Sequence, residues 1–455
     1  MLGHGLSSIF RRSPLPLTVF PHRRFVHKRM SEADYDTWTK EELISRLVQL
    51  ESHGSSKPSA KGKGRAQDES IDWANAPRRK IALKFCYGGW DFGGLAIQKD
   101  RTPLPTVEGK LFGALVRARL VDPKGGLEGC GWERCGRTDR GVSAAGQVIS
   151  LWVRSALSQE ELTPTATPTE EHPFIYMINR HLPDTIKILA WSPVDPSFSS
   201  RYSCTWRHYK YFFSPVGLDV AAMRAACAYL PGTHDFRNLC KIDPTKQLDQ
   251  FRRDILHASI SPVDASNPGG MHVFDLKGSS FLYHMVRNIM GVLLSIGARL
   301  EPPTLLPALM NVAPGCRPEY MMADALPLTL WDCGYPEGAV NWQPETRDSH
   351  SMVRVLPGPQ LRAVIPLEHS APTTTSGDEA AAPAVIVEDA ALSAPRNVFI
   401  PLGGGTHRKM MSAKYVPVLQ RNRLEHFEVQ NARWREKARQ KGLKIPDHAP
   451  EDAEE

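Results

Sequence analysis

One short loop bounded by glycines carries the residues of this sequence that are best suited to covalent chemistry. Gly136 and Gly141 flank Asp139, which stands between Arg137 and Arg140. Glycine permits backbone angles and close approaches that other residues resist. A carboxylate between arginines stays ionised and can act as a nucleophile or a base. The same pattern also fits an ordinary polar turn closed by an Asx hydrogen bond, so the loop alone leaves both interpretations open.

A second segment offers aromatic side chains that could hold a planar ligand. Strand alternation between residues 207 and 213 places Arg207, Tyr209, Tyr211 and Phe213 on one face. If that face is exposed, an aromatic ring there could stack on a nucleic-acid base. If the face is buried, both tyrosines belong to the core.

A third segment brings a strong base into apolar surroundings. Residues 280–296 are predicted to form a helix on which His284, Arg287 and Asn288 lie near one edge, while apolar side chains face a core. An arginine in such surroundings needs an anion close by. A catalytic carboxylate, a structural carboxylate and a bound phosphate would each satisfy that need.

Composition narrows the class of protein. At 455 residues the chain can hold a large core or two with additional tails. Its net charge of +7 and isoelectric point of about 8.9 are compatible with a polyanionic partner. The eight cysteines contain no C-x-x-C pair, so neither a metal site nor a disulfide framework is predicted, and we interpret them as reduced thiols of an intracellular protein. No apolar run approaches membrane-spanning length, so no membrane partner is predicted.

Low-complexity or strongly basic segments lie at both ends of the chain. Residues 1–30 contain six basic residues and no acid, which fits a mitochondrial presequence, an unstructured basic tail, or an extension before a second start at Met30. Residues 31–78 combine a short helix over 41–51 with a flexible linker. Residues 337–395 are interpreted as disordered. The basic extension 396–455 includes a helix over 423–441 that could contact phosphates or simply be solvated.

The part between the tails divides into two halves of similar pattern. In 79–205 and again in 206–336, the predicted order is strand, helix, strand, strand, helix, strand, which is the ferredoxin-like arrangement. Residues 155–172 in the first half are expected to form a surface insertion. The fold class predicted is α+β, with two ferredoxin-like (RRM-like) units forming one antiparallel sheet, helices behind it and a central catalytic cleft in front.

Three motifs together resemble one enzyme family. The loop reads G-R-T-D-R-G-V-S-A-A-G-Q-V from Gly136, the strand reads R-H-Y-K-Y from Arg207, and the helix reads F-L-Y-H-M-V-R-N-I-M-G from Phe281. They resemble the signatures of the TruA-type tRNA pseudouridine synthases, and the resemblance covers about residues 80–336. One departure is Ser143, where bacterial relatives usually have histidine.

The resemblance implies a reaction and roles for individual residues. It implies that Asp139 is the nucleophile, that Arg287 pairs with it and that Tyr209 contacts the substrate. The expected reaction isomerises uridine to pseudouridine without a metal, a nucleotide or any other cofactor, on a uridine that has left its helix stack. The residues expected to bind substrate are Arg137, Arg140, Arg201, Arg207, Tyr209, His284 and Asn288.

Further short matches resemble the eukaryotic branch, which modifies uridines 38 and 39 of the tRNA anticodon stem-loop. These matches include Leu95-Ala-Ile-Gln98 and Lys414-Tyr-Val-Pro417. The expected partner is therefore tRNA, and a homodimer is a possible state because the bacterial relatives are dimers. The expected location is the nucleus and cytoplasm, with the mitochondrion added if residues 1–30 are a presequence. Modification of other RNA positions, or RNA binding without catalysis, are the competing hypotheses.

Overall fold

The computed structural model describes residues 71–98, 102–158, 161, 171–312, 316–344 and 415–443, together with the backbone of 397–403 and 406–411. Several predicted segments lie outside these ranges: the basic segment 1–30, the helix over 41–51, the linker before residue 71, most of the insertion 155–172 and nearly all of the low-complexity tract 337–395. In the part of the chain that is described, no helix is both long and apolar enough to cross a bilayer. All eight cysteines are free.

One mixed, mostly antiparallel sheet organises the described residues. Its strands are β1 (Arg78–Tyr87), β2 (Glu133–Arg134), β3 (Ser143–Arg154), β4 (Ile186–Pro193), β5 (Trp206–Phe213), β6 (Gly232–Asp235), β7 (Arg252–Pro262), β8 (His272–Gly278), β9 (Leu328–Gly334) and β10 (Gln343–Pro344). They lie in the order β10-β4-β1-β3-β9-β5-β8-β7-β6, and the short β2 pairs with β3. The predicted α+β class is confirmed.

A parallel pair joins the two halves of the sheet, so the expectation of a wholly antiparallel sheet was wrong at this seam. Strands β3 and β9 pair in parallel, with Ser143 opposite Thr329 and Ala144 opposite Leu330. Parallel pairing needs a long connection instead of a hairpin, and residues 155–327 separate these two strands. The seam begins directly after the Asp139 loop, because β3 starts at Ser143. The loop therefore projects where the two halves meet.

Helices cover the sheet and begin at recognisable caps. They are α1 (Val107–Arg117), α2 (Gly126–Gly129), α3 (Phe174–Asn179), α4 (Val220–Cys227), α5 (Met285–Gly297), α6 (Leu305–Met310) and α7 (Phe427–Gln440). The Thr106 hydroxyl accepts a hydrogen bond from the Gly109 amide and so caps the start of α1. Helix α7 falls within the predicted basic helix. Beyond the sheet, β11 (Asn397–Gly403) and β12 (Thr406–Met411) form an antiparallel hairpin.

Helix α5 is the central helix of the core. Its residues are almost all buried, including Met285, Ile289 and Leu293, which were predicted to face the core. It begins at Met285 and not at residue 280, because His284 has a left-handed backbone with φ of 62°. A non-glycine residue in that region is uncommon and stops a helix from extending through it. The residues before it therefore form a turn that directs His284 towards the seam.

Candidate active site

The Asp139 loop is fixed by main-chain hydrogen bonds and one buried pair of hydroxyl groups. The Leu95 amide donates to the Thr138 carbonyl at 3.2 Å, and the Val142 amide donates to the Asp139 carbonyl at 3.1 Å, closing a tight turn. The hydroxyl oxygens of Tyr87 and Thr138 lie 2.6 Å apart in a hydrogen bond. The loop is thus held from the first strand and from within, and this fixes where its carboxylate points.

Two glycines are required by the geometry of this loop. Gly141 has a φ of +86°, a conformation that residues with a side chain rarely adopt. Gly89 approaches the loop so closely that a Cβ atom would lie 2.1 Å from the Val142 carbonyl oxygen. The Gly89 amide also donates to the Ser143 hydroxyl at 3.0 Å. Ser143, the departure from the bacterial pattern, therefore helps to hold the loop.

Helix α5 brings two nitrogen groups to one oxygen of Asp139. Arg287 donates from Nη1 to Asp139 Oδ2 at 2.9 Å, and His284 Nε2 lies 3.1 Å from the same oxygen. Arg287 also donates from Nε to the Ala323 carbonyl at 3.0 Å, which fixes the direction of its guanidinium group. Within the described residues, Asp139 Oδ1 has no hydrogen-bond partner. One oxygen is therefore held while the other is available for reaction.

The surroundings of Asp139 favour its ionised form. Burial alone would raise the pKa of the carboxyl group, but hydrogen bonds and charge from His284 and then Arg287 outweigh it and hold the pKa below its ordinary value. The Asp139 side chain is 25% exposed, against 13% for Arg287. Because the ion pair is only partly screened by water, it acts more strongly than a surface pair. The carboxylate is charged throughout the neutral pH range.

His284 and Asn288 lie on the same turn but have different surroundings. The His284 ring lies against the Tyr283 ring, with centroids 3.8 Å apart. Asn288 is buried behind it, where its Nδ2 donates to the His284 carbonyl at 2.9 Å and its Oδ1 accepts from Arg317. The structure therefore places His284 at Asp139 and Asn288 in support of the turn. The predicted contact of Asn288 with substrate remains a prediction.

Tyr209 lies beside Asp139 but faces the interior. Strand β5 alternates as predicted, since Arg207, Tyr209, Tyr211 and Phe213 are all buried on one face. Of the two alternatives that the sequence left open, the buried face is observed, since Tyr209 is only 3% exposed. Contact of Tyr209 with substrate remains a prediction. Tyr209 lines the same small cavity as Asp139, whereas Tyr211 belongs to the core.

The cavity at Asp139 is narrow in this structure. Its volume is about 20 Å³, which is room for about one water molecule. The Tyr209 ring meets the edge of Phe281 at 5.0 Å between centroids and forms part of its wall. The cavity is lined by Arg137, Thr138, Asp139, Val142, Tyr209, His284, Met285, Val286, Arg287 and Leu328. A nucleobase would fit only after side chains along this wall move.

The remaining arginines predicted to bind substrate occupy different environments. Arg137 is exposed and lines the cavity, and Arg140 is exposed beside it. Arg201 is half-buried, with its guanidinium group 5.6 Å from the centre of the Tyr202 ring. Arg207 is buried and donates to the carbonyls of Cys135, Arg201 and Ser279. Arg207 therefore ties the loop to β5, and substrate contact by these four arginines remains a prediction.

Several contacts of the site were not predicted from the sequence. The Ala323 carbonyl that orients Arg287 left no signal, because a main-chain acceptor can be supplied by any residue. Tyr283 stands next to the predicted His284, and its ring packing was not foreseen. Thr138 lies within the recognised loop, where its buried hydroxyl bond to Tyr87 could have been suspected from the small polar side chain beside the aspartate.

Comparison with known proteins identifies the class to which this site belongs. The family model described as tRNA pseudouridine synthase matches residues 226–336, a range that includes Arg287 but not Asp139. A Saccharomyces cerevisiae protein is 36% identical over 431 residues, covering 90% of this chain and 93% of the yeast protein. The chain therefore belongs to the tRNA pseudouridine synthase family and is an isomerase of that type.

The relatives also indicate a branch within the family. The yeast protein and a Homo sapiens protein, 37% identical over 345 residues and 69% of each chain, are both named tRNA pseudouridine(38/39) synthase. A Methanothrix thermoacetophila protein named tRNA pseudouridine synthase A is 33% identical over 282 residues, covering 61% of this chain and 90% of its own. Among these three, the yeast protein matches over the greatest length.

Proposed function

We propose that this protein converts uridine to pseudouridine at positions 38 and 39 of the tRNA anticodon stem-loop. The names of its eukaryotic relatives support the positions. The geometry of Asp139 supports the chemistry. Arg287 and His284 hold its Oδ2, while its Oδ1 has no hydrogen-bond partner among the described residues.

In the proposed reaction Asp139 is the nucleophile. The N1–C1′ bond of the uridine breaks, the detached uracil turns, and a new bond forms between C5 and C1′. The proton on C5 leaves and N1 gains one, so the reaction is a balanced isomerisation that consumes no cofactor. An ionised Oδ1 could attack C1′ of the ribose or C6 of the base. Arg287 and His284 would keep the attacking group charged and aligned.

Tyr209 and the cavity wall would hold the uracil during its rotation. The target uridine must leave its stack before it can reach Asp139, as for other enzymes that act on a base. Because the cavity of about 20 Å³ is too small for uracil, substrate entry would require movement of side chains such as His284. Tyr209 would then contact the base by stacking or proton handling, and the exposed Arg137 would contact RNA phosphate.

The strand order supports the finer description of the fold that was predicted from sequence. We propose that the sheet combines two ferredoxin-like units with a shared catalytic cleft. The first unit would have the order β4-β1-β3-β2 and the second the order β9-β5-β8-β7. If the four strands of each unit are numbered 1 to 4 along the chain, both units have the spatial order 4-1-3-2. The ferredoxin-like connection strand-helix-strand-strand-helix-strand has this order. The pairing of β3 with β9 would then bring the Asp139 loop of the first unit next to helix α5 of the second unit.

Position mapping tests the proposed function. Purified protein would be incubated with tRNA transcripts that carry uridine at 38, at 39 or at both, and with matched transcripts that carry cytidine there. Sequencing after chemical derivatisation of pseudouridine should show the product at 38 and 39 and nowhere else. Product only at other positions would contradict the assignment of sites. Binding without any product would contradict the proposed reaction and favour an RNA-binding module.

A further inference from the structure

A second, larger cavity lies between the second half of the sheet and the C-terminal segment 415–443. Its volume is about 200 Å³, below the roughly 300–1,000 Å³ of pockets for drug-sized ligands, and it therefore suits one ring system. Its walls combine basic, amide and apolar side chains. They include Asn238, Lys241, Arg317, Leu424 and Phe427.

The C-terminal wall of this cavity is firmly attached to the catalytic part of the chain. The Leu424 amide donates to the Arg317 carbonyl at 2.8 Å, and the Glu319 amide donates to the Asn422 carbonyl at 2.9 Å. Phe427 meets the edge of Phe251, with ring centroids 5.0 Å apart. These contacts make the cavity a built feature of the fold and give the segment after residue 415 a definite place.

Two residues of the walls each carry a buried polar atom that has no hydrogen-bond partner among the described residues. These atoms are the acceptor Asn238 Oδ1 and the donor Arg317 Nε. Asn238 donates from Nδ2 to the Leu309 carbonyl at 3.1 Å, which fixes its amide so that the oxygen is the open group. Buried polar groups are nearly always paired in folded proteins. Because other side chains cover both atoms in this structure, a ligand in the cavity would reach them only after those side chains move. The edge of a nucleobase, which presents both a donor and an acceptor, could then satisfy both atoms.

Lys241 is an exposed lysine that lines the cavity. Across the part of the chain that the structure describes, its side chain forms no ion pair or hydrogen bond, and its nitrogen lies 5.4 Å from the centre of the Tyr283 ring. The Lys241 amide donates to the Tyr283 carbonyl at 2.8 Å, which holds the two residues together. An exposed ammonium group beside a cavity with a hydrogen-bonding wall suits a phosphate attached to the bound ring.

The cavity is connected to the catalytic carboxylate through two short paths. The Tyr283 ring, which lies under Lys241, packs at 3.8 Å between centroids against His284, and His284 contacts Asp139. On the other side, Asn288 links the His284 carbonyl to Arg317 on the cavity wall. A ligand here would therefore lie one layer of side chains away from the reacting uridine.

We propose that this cavity binds the base of an unpaired nucleotide that neighbours the target uridine in the substrate RNA, with Lys241 contacting its phosphate. The inference rests on the proposed function, because it takes the substrate strand to pass Asp139. In this arrangement Asn238 and Arg317 read the edge of the neighbouring base. The C-terminal segment closes the cavity and so contributes to the choice of uridine.

The test combines a cavity-filling variant with substrates that lack one base. Leu424 lines the cavity and is 40% exposed, so the larger side chain of Leu424→Trp would fill the cavity from its rim. The matched control is Leu443→Trp, because Leu443 is 55% exposed and does not line the cavity. Dissociation constants would be measured for tRNAs with an abasic nucleotide at each position flanking the target. Wild type and Leu443→Trp should bind one such tRNA about 5- to 150-fold more weakly than intact tRNA. Leu424→Trp should show no such difference.

Lys241→Ala supplies a second variant that leaves the core untouched. It should weaken binding to every tRNA equally and lower the slope of log affinity against log salt by about one. Lys124→Ala, at an exposed lysine far in sequence from the cavity walls, is its control and should leave binding and the salt slope unchanged. An abasic effect that is equal in wild type and Leu424→Trp, or absent at all flanking positions, would overturn the proposal. Pseudouridine formation by wild type is scored in parallel, so a failure of the proposed function is seen separately from a failure of base binding.

Discussion

Asp139 lies on a loop of the first half of the sheet, whereas Arg287 and His284 lie at the start of a helix in the second half. The loop is held by main-chain hydrogen bonds and by glycines that allow close approach. The helix is held by apolar packing and by the bond from Arg287 to the Ala323 carbonyl. Each half supplies what the other lacks, since one contributes the reactive oxygen and the other the charge that keeps it ionised.

Because of this difference, substitutions in the two halves should affect different properties of the enzyme. A substitution in the helix removes charge or a hydrogen bond but leaves the fold intact, so its effect should fall on the rate. A substitution next to the loop moves the backbone, so its effect should fall on stability as well. The family model that matches 226–336 covers the helix with Arg287 but not the loop with Asp139, although a working site requires both.

Removal of the Arg287 charge should have the largest effect of these changes. Arg287→Gln loses a charged hydrogen bond to Asp139, which should lower the single-turnover rate by about 10- to 100-fold. Arg299→Gln, at an exposed arginine after the same helix, is the matched control and should react like wild type. Rapid-quench measurement of product with excess enzyme would check both. A rate within twofold of wild type for Arg287→Gln would show that the ion pair does not serve the reaction.

A methyl group at Gly89 should disturb the loop instead of the charge. Gly89→Ala would place a Cβ against the Val142 carbonyl, and the free energy of unfolding should fall by about 1–3 kcal/mol. Gly129→Ala, where a Cβ meets nothing within 4 Å, should cost much less. Urea denaturation of both variants would test this. Equal stability would mean that the loop can move aside easily.

His284→Asn should have a smaller effect on the rate than Arg287→Gln. Asparagine tolerates the left-handed backbone at this position, so the turn should survive while the contact from Nε2 to Asp139 is lost. Loss of one such hydrogen bond corresponds to about a 2- to 12-fold slower reaction. Thermal unfolding would establish that the fold is retained. A loss larger than that of Arg287→Gln would assign His284 a direct part in the chemistry.

The dependence of the rate on pH should show whether Arg287 on the helix controls the charge of Asp139 on the loop. The pKa of Asp139 is lowered in the folded protein, so its ionised form and the stability it contributes persist at neutral pH. Both are lost as the pH falls through that lowered pKa, which lies below the ordinary pKa of an aspartate. Arg287→Gln removes a cation, so it should raise the pKa and move the acidic limb of the rate profile upward. An unmoved limb would mean that Arg287 does not set the charge of Asp139.

Local sequence patterns predicted much of this site. The glycines around Asp139, the alternation of β5 and the apolar face of α5 each follow from rules that act over a few residues. The pairing of Arg287 with Asp139, across 148 positions of sequence, came instead from family resemblance.

The features that were missed depend on contacts between distant parts of the chain. Alternation showed that Tyr209 and Tyr211 share a face but not that the face is covered, because burial depends on what packs against it. The parallel pairing of β3 with β9 joins strands that are far apart in sequence. The left-handed backbone of His284, which delays the start of α5, has no signature in the residue type. Each of these required the assembled fold.

The most direct test of the central claim uses tRNA labelled with tritium at C5 of uracil. Wild type should release the label as the C5 proton leaves, and Asp139→Asn should release none while binding tRNA with comparable affinity. Asp195→Asn, at an exposed loop carboxylate, is the control and should release label at the rate of wild type. Continued release by Asp139→Asn would contradict the assignment of Asp139 as the nucleophile.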